Sequence, residues 1–306
     1  MPRNTLLIAT SVAALAAIPL ASCTKDPPPS ENKASPTALA VDAAPSVDPR
    51  VPLNVTPVPT GSVLDMVNPT HAPPYAGPTG VIEGTIFVSG PPAPPTMGKS
   101  FTKCPNGSKM YSKTFREGTP LPDGRRPLAD VVVGVTGYSG FIAEKSEAKR
   151  INIVDCAYSA RTVALTLGQR LEIQNKSSGL MFTPVLENQP APAMMIATPG
   201  SDAIRLYPAR MGRYRVIDKG GYDYMELDVY VLGQPLHATT DDGGHFRIEG
   251  VPVGKLKVGA RHPFIAGDQS VEVDVQSSTV AKVELVIPHD KDAPRPATID
   301  EGPILP

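Results

Sequence analysis

The sequence predicts an all-β protein: a Greek-key β-sandwich followed by a second, smaller β-sandwich module. Three observations carry this expectation. The 306 residues include 36 Pro and 26 Gly, about a fifth of the chain against a usual share of roughly 12%, which argues against a compact helical protein. About nine short β-branched runs lie between Gly80 and Leu232, with Gly, Pro or Asn in most of the gaps. Further on, Asp241-Asp242-Gly243-Gly244 separates two strand-like runs, and Asp-Gly supplies the positive φ that a tight turn requires.

The elements follow in order. Leu6 to Leu20 is almost continuously apolar behind Arg3. That is about 15 residues, short of the roughly 20 that span a bilayer, and it reads as an export signal over residues 1–22. Residues 24–78 hold 13 Pro with no periodicity, so 23–78 reads as a disordered, extended stalk. From Gly80 the strands begin: Val81–Val88, then Asp130–Thr136, Arg150–Val154, Thr162–Leu167, Arg170–Gln174, Met181–Leu186, Ala203–Tyr207, Gly212–Ile217 and Tyr224–Leu232. Gly140–Lys149 offers one short helix. These elements make a first module over 79–232. A second spans 233–287, with a hairpin from His237 to Ile248 and a pairing of Ser270–Val275 with Thr279–Ile287. The Pro- and Asp-rich tail 288–306 reads as disordered.

Three stretches resemble known families. Leu20-Ala21-Ser22-Cys23 is similar to the bacterial lipoprotein signal. That resemblance implies acylation of Cys23 and attachment to a membrane through the lipid, with the folded part outside the cytoplasm. Thr24 in place of Asp leans toward the outer membrane. Thr240-Asp241-x-Gly243-Gly244-x-Phe246-x-Ile248 and Val251-Pro252-x-Gly254-x-Leu256 resemble the carboxypeptidase regulatory-like domain, a transthyretin-like β module that is structural or binding. Gly80-Val81-Ile82-Glu83-Gly84, Pro127–Val133, Asp155-Cys156, Leu171–Asn175 and Tyr224-Met225 resemble the cupredoxin-like part of methylamine-utilisation and plastocyanin-like periplasmic proteins.

That last family holds copper with two His, a Cys and a Met. Here Lys176–Phe182 contains no His, Lys219 stands at the Cys position and Tyr222 at the second His position, which leaves Met225 alone. A type-1 copper site is therefore not expected and no cofactor is assigned. The alternative is a copper-handling protein with a Met-based Cu(I) site at Met181 and Met225.

With Cys23 lipidated, Cys104 and Cys156 remain. An even pair in an exported chain reads as a disulfide, and the same resemblance also implies one. His237 and His245 flank the expected hairpin turn and are more simply solvated than metal-binding. The formal net charge of −1 gives no field for nucleic acid. No G-x-S-x-G, H-E-x-x-H or phosphate-binding glycine loop appears, so no enzyme activity is expected. The strongest binding signal is a cluster of Arg and Tyr. Arg213 and Arg215 are two residues apart, on one strand face, and Tyr222 and Tyr224 follow. Planar guanidinium groups and phenol rings suit an envelope protein or polysaccharide. The expected function is that of a non-catalytic binding or structural module of the cell envelope.

Overall fold

The computed structural model describes residues 56–101, 104–187 and 195–296. The export signal, Cys23, residues 24–55 of the expected stalk and residues 297–306 of the tail lie outside the described residues. Among the described residues the chain is an all-β protein with two short helices.

Eight strands build one sandwich: β1 (Thr79–Ser89), β2 (Arg126–Pro127), β3 (Val132–Thr136), β12 (His237–Thr239), β13 (His245–Pro252), β14 (Gly254–Arg261), β15 (Gln269–Val275) and β16 (Val280–Pro288). Its two sheets run β13-β1-β16, with β2 alongside β1, and β12-β3-β14-β15. Ile82, Ile86 and Val88 of β1 face Val133, Val135 and Val258 across a common core. Between β3 and β12 the chain builds a second sandwich from β4 (Ala148–Val154), β5 (Ala157–Tyr158), β6 (Thr162–Thr166), β7 (Arg170–Asn175), β8 (Pro184–Leu186), β9 (Ile204–Leu206), β10 (Gly212–Asp218) and β11 (Glu226–Leu232). Its sheets run β5-β4-β7-β9 and β6-β11-β10-β8, and Ile151, Ile173, Leu165, Val216 and Val229 fill the space between them. Val132, Ala164, Tyr230 and Leu232 form a small apolar seam where the two sandwiches meet.

The strand runs fall where the β-branched residues put them, but the pairing differs from the sequential arrangement. β1 and β3, grouped by sequence with 79–232, hydrogen-bond with strands beyond 233. β1 runs antiparallel to β13 and parallel to β16, while β3 pairs with β12 and β14. The expected hairpin around Asp241–Gly244 is an arch, because β12 joins the β3 sheet and β13 joins the β1 sheet. β15 and β16 likewise enter different sheets, β15 beside β14 and β16 beside β1. Partners more than a hundred residues apart leave no local signal.

Three further expectations are corrected. Gly140–Lys149 forms no helix; the Glu144 carboxylate accepts the Lys145 and Ser146 N–H groups and holds a turn. Residues 56–78 are not free stalk. Helix α1 (Thr60–Val67) packs Val63, Met66 and Val67 on the core of the inserted sandwich, and Tyr75 N–H donates to the Phe141 carbonyl at 2.8 Å. The tail is engaged as far as residue 296, as set out below.

In β1, Gly84 sits at a position that only glycine fits. A Cβ on Gly84 would collide with the Val283 carbonyl oxygen and lie 2.6 Å from the Phe246 ring. Gly84→Val is expected to lower stability by about 1–3 kcal/mol through overpacking, read as a lower urea midpoint of the full-length protein. An unchanged midpoint would contradict the β1–β16 register.

Candidate functional site

Three loops converge at one end of the inserted sandwich. They follow β4, β7 and β10, which end at Val154, Asn175 and Asp218. Each is fixed by a polar side chain at or just beyond its strand. Asn175 donates through Nδ2 to the Leu180 and Ala197 carbonyls at 2.7 and 2.8 Å and accepts the Ser177 N–H at 2.9 Å. Asp218, 5% exposed, accepts N–H bonds from Thr183 at 2.6 Å, Gly220 at 2.9 Å and Tyr222 at 3.0 Å. A carboxylate gripping three amides pins a loop that Gly220-Gly221 alone would leave loose. The turn after β4 places Asp155 and Cys156 at positive φ, where the Ser177 hydroxyl accepts the Asp155 N–H.

Cys156 is joined to Cys104, as expected, with 5.5 Å between their Cα atoms. Cys104 opens helix α2 (Pro105–Tyr111), with Pro in its first turn, the position where a missing N–H costs nothing. The bond ties α2 to the loop after β4. Tyr111 at the end of α2 accepts the Tyr158 N–H at 3.3 Å and extends an aromatic chain. Tyr224 meets Phe101 at 4.9 Å, Tyr111 at 5.6 Å and Tyr222 at 6.2 Å, and Tyr222 meets Phe182 at 5.1 Å.

Of these rings Tyr222 and Tyr224 line a cleft of about 500 Å³, bounded also by Lys99, Cys104, Cys156 and Leu180. Lys99 is paired with Asp223 at 2.6 Å. The Tyr224 hydroxyl is buried with no hydrogen-bond partner among the described residues. Burial first, then the nearby Tyr222, Asp218 and Asp223, push its pKa up to about 12. The phenol therefore stays neutral at any ordinary pH. At the same end of the sandwich Met97 and Met181, chain neighbours of the lining residues Gly98 and Leu180, and Ile196, next to Ala197 that bridges Phe182, stand 82%, 62% and 63% exposed.

The sequence-derived face divides. Tyr222 and Tyr224 belong to the cleft; the two arginines do not. Arg213 is 2% exposed and donates from Nε and Nη2 to Asp228 Oδ1 at 3.0 and 2.7 Å, and from Nη2 to the Pro263 carbonyl at 2.8 Å. Arg215 is half-buried and paired with Glu187 and Glu226. The partner carboxylates lie on neighbouring strands or across a loop, so the run of arginines looked solvated in sequence. Asn175 and Asp218 went unnoticed as loop anchors, although Asp followed closely by Gly-Gly is an Asx-turn signal.

The donor set at this end does not fit copper. Of the two thioethers in the Cu(I) alternative, Met225 is fully buried in the core of the inserted sandwich and Met181 projects into solvent. Among the described residues no cluster of three His, Cys, Asp or Glu side chains is arranged to hold a metal. His237 and His245 line a larger groove of about 1040 Å³. Its charges satisfy one another, Glu83 with Arg247 and Lys282, and each His ring bonds a threonine hydroxyl. That groove is a solvated sheet face, and the smaller aromatic cleft is the better candidate site.

No family model matches this chain, and no curated protein does either. Solved structures of reduced amicyanin in two variant forms are similar at 15% identity and TM-scores of 0.25 and 0.26, covering 32% of this chain and 97% of theirs. A heme-copper terminal oxidase dimer is similar at 14% identity and a TM-score of 0.24, covering 30% of this chain and 68% of that one. The fold described above rests on the strand pairing itself.

Proposed function

We propose that this chain is a non-catalytic binding module of the bacterial cell envelope, anchored through lipid on Cys23, that takes a protein partner at the Tyr222/Tyr224 cleft. The observation that carries this reading is the rim: Met97, Met181 and Ile196 are exposed beside an aromatic cleft. Exposed Met and aliphatic side chains around tyrosines are the composition of a protein-docking surface. The cleft's one charged pair, Lys99–Asp223, is closed on itself, which suits apolar contact better than an anionic polysaccharide. The resemblance of residues 240–256 to a structural or binding module points the same way.

The direction of the chain is consistent with this. Val63 of α1 packs on Gly168 at the β6–β7 turn, whereas the cleft lies where β7 ends. The chain thus enters the inserted sandwich at the end opposite the cleft. Among the described residues no helix is long and apolar enough to cross a membrane.

Tyr222→Ala is expected to weaken binding to detergent-extracted envelope proteins roughly 30-fold, the scale of an interfacial tyrosine hot spot. Full-length protein is measured against those proteins and against purified envelope polysaccharide on separate surfaces. Tyrosine-dependent binding to polysaccharide alone would replace the protein partner by a glycan. Binding that ignores Tyr222 would remove the cleft from the account.

A further inference from the structure

The last described residues cross the seam between the two sandwiches. His289 holds to the outer one: its N–H donates to the Ser89 carbonyl at 2.9 Å, Nδ1 donates to the Pro91 carbonyl at 2.8 Å, and its ring meets Phe115 edge-on at 4.9 Å. Asp290 then turns the chain, its carboxylate accepting the Asp292 N–H, while Lys291 and Asp292 stay exposed. Arg295 lies 3.9 Å from the centre of the Phe264 ring. From there it reaches the inserted sandwich, 3.7 Å from Glu226 and 3.8 Å from Asp228 Oδ2. The Pro296 carbonyl accepts from Arg213 Nη1 at 3.2 Å.

The segment is fixed at both ends and free in the middle, and its inserted end is held loosely. The ion pairs of Arg295 are longer than hydrogen bonds. Asp228 Oδ2 beneath it is buried without a hydrogen-bond partner among the described residues. Burial above all weakens the charged form of Arg295; Asp228 and Glu226 oppose this, and the nearby Arg213 and Arg215 add to it. Glu226, which Arg295 touches, is the first residue of β11, two residues after Tyr224, and its other oxygen takes Arg215 of β10. The loop bearing Tyr222 and Tyr224 therefore springs from the pair of strands that Arg295 covers.

We propose that residues 289–296 form a releasable latch across the seam, with Arg295 holding the base of the cleft loop, so that its release loosens that loop. The consequence for binding rests on the proposed cleft; the latch does not, and can be read without a partner. Hydrogen–deuterium exchange on the full-length protein compares wild type with Arg295→Ala and Arg295→Glu. The latch predicts exchange in 219–232 about tenfold faster for Arg295→Ala and faster still for Arg295→Glu, with 245–252 of β13 unchanged. Unchanged exchange in 219–232 would overturn it. So would an equal rise in both regions, which would make the tail a general stabiliser. A loosened loop with partner binding unaltered would uphold the latch and count against the cleft.

Discussion

Arg213→Ala should destabilise the folded chain by about 3–5 kcal/mol, the scale of removing one partner of a buried ion pair. Arg213 and Asp228 are 2% and 1% exposed on the neighbouring strands β10 and β11. Burial already pushes the Asp228 carboxyl above its usual range, against the pull of Arg213. Without the guanidinium the carboxylate keeps only the distant Arg295. It must then ionise unpaired or take up a proton, and either course weakens the fold. The Pro263 carbonyl also loses its donor, and with it one polar tie between the two sandwiches. The control is the double replacement Arg213→Met with Asp228→Leu, which removes both charges and leaves apolar side chains of similar size. It should recover most of the loss, because replacing a buried pair outright is often neutral. Urea unfolding of the full-length protein separates the cases. A single-variant cost below about 1 kcal/mol would place the pair in water rather than in the core.

Removing the Cys104–Cys156 bond should cost about 4 kcal/mol, since it closes a loop of 52 residues in the unfolded chain. The loss has a local side. Cys104 and Cys156 line the cleft, and α2 carries Tyr111 against Tyr224. Freed α2 would keep its packing, the Tyr111–Tyr158 bond and the exposed Asn106–Asp155 and Lys109–Asp242 contacts, so the aromatic chain behind the cleft should lose order as well as stability. Cys104→Ala with Cys156→Ala, compared with wild type by thermal unfolding, should lower the midpoint by roughly 10 °C at a domain of this size. Near-ultraviolet circular dichroism should lose tyrosine signal below the transition. An unshifted midpoint would contradict a structural role for the bond.

Much of this was written in the sequence, and what was missing follows a pattern. Strand positions were legible because β-branched runs and Gly or Pro stops are local. The disulfide was legible by count. Strand partners were not, because β1 lies against β16 across some 200 residues of intervening chain. The insertion of one sandwich into the other is visible only in that pairing. Helices α1 and α2 hid behind Pro and Gly, and α2 is held by a covalent bond and a buried tyrosine rather than by periodicity. At the cleft, Tyr222 and Tyr224 are legible as part of a run of arginines and tyrosines. Arg213 misled because a charged residue in a strand suggests solvent, while its partner Asp228 lies on the next strand. Met97 and Ile196 drew no notice: an exposed apolar side chain looks like any other until its surroundings are known.

The central claim is that the cleft end of the inserted sandwich is the docking surface. A photo-crosslinking amino acid placed at Met181, beside the cleft, and separately at Val271, an exposed residue of β15 in the other sandwich, tests it in living cells carrying the full-length protein. Docking at the cleft should give a discrete protein adduct from position 181 that is absent from position 271 and disappears when Tyr222→Ala is added. Equal adducts from both positions, or an adduct from 181 that survives Tyr222→Ala, would contradict it.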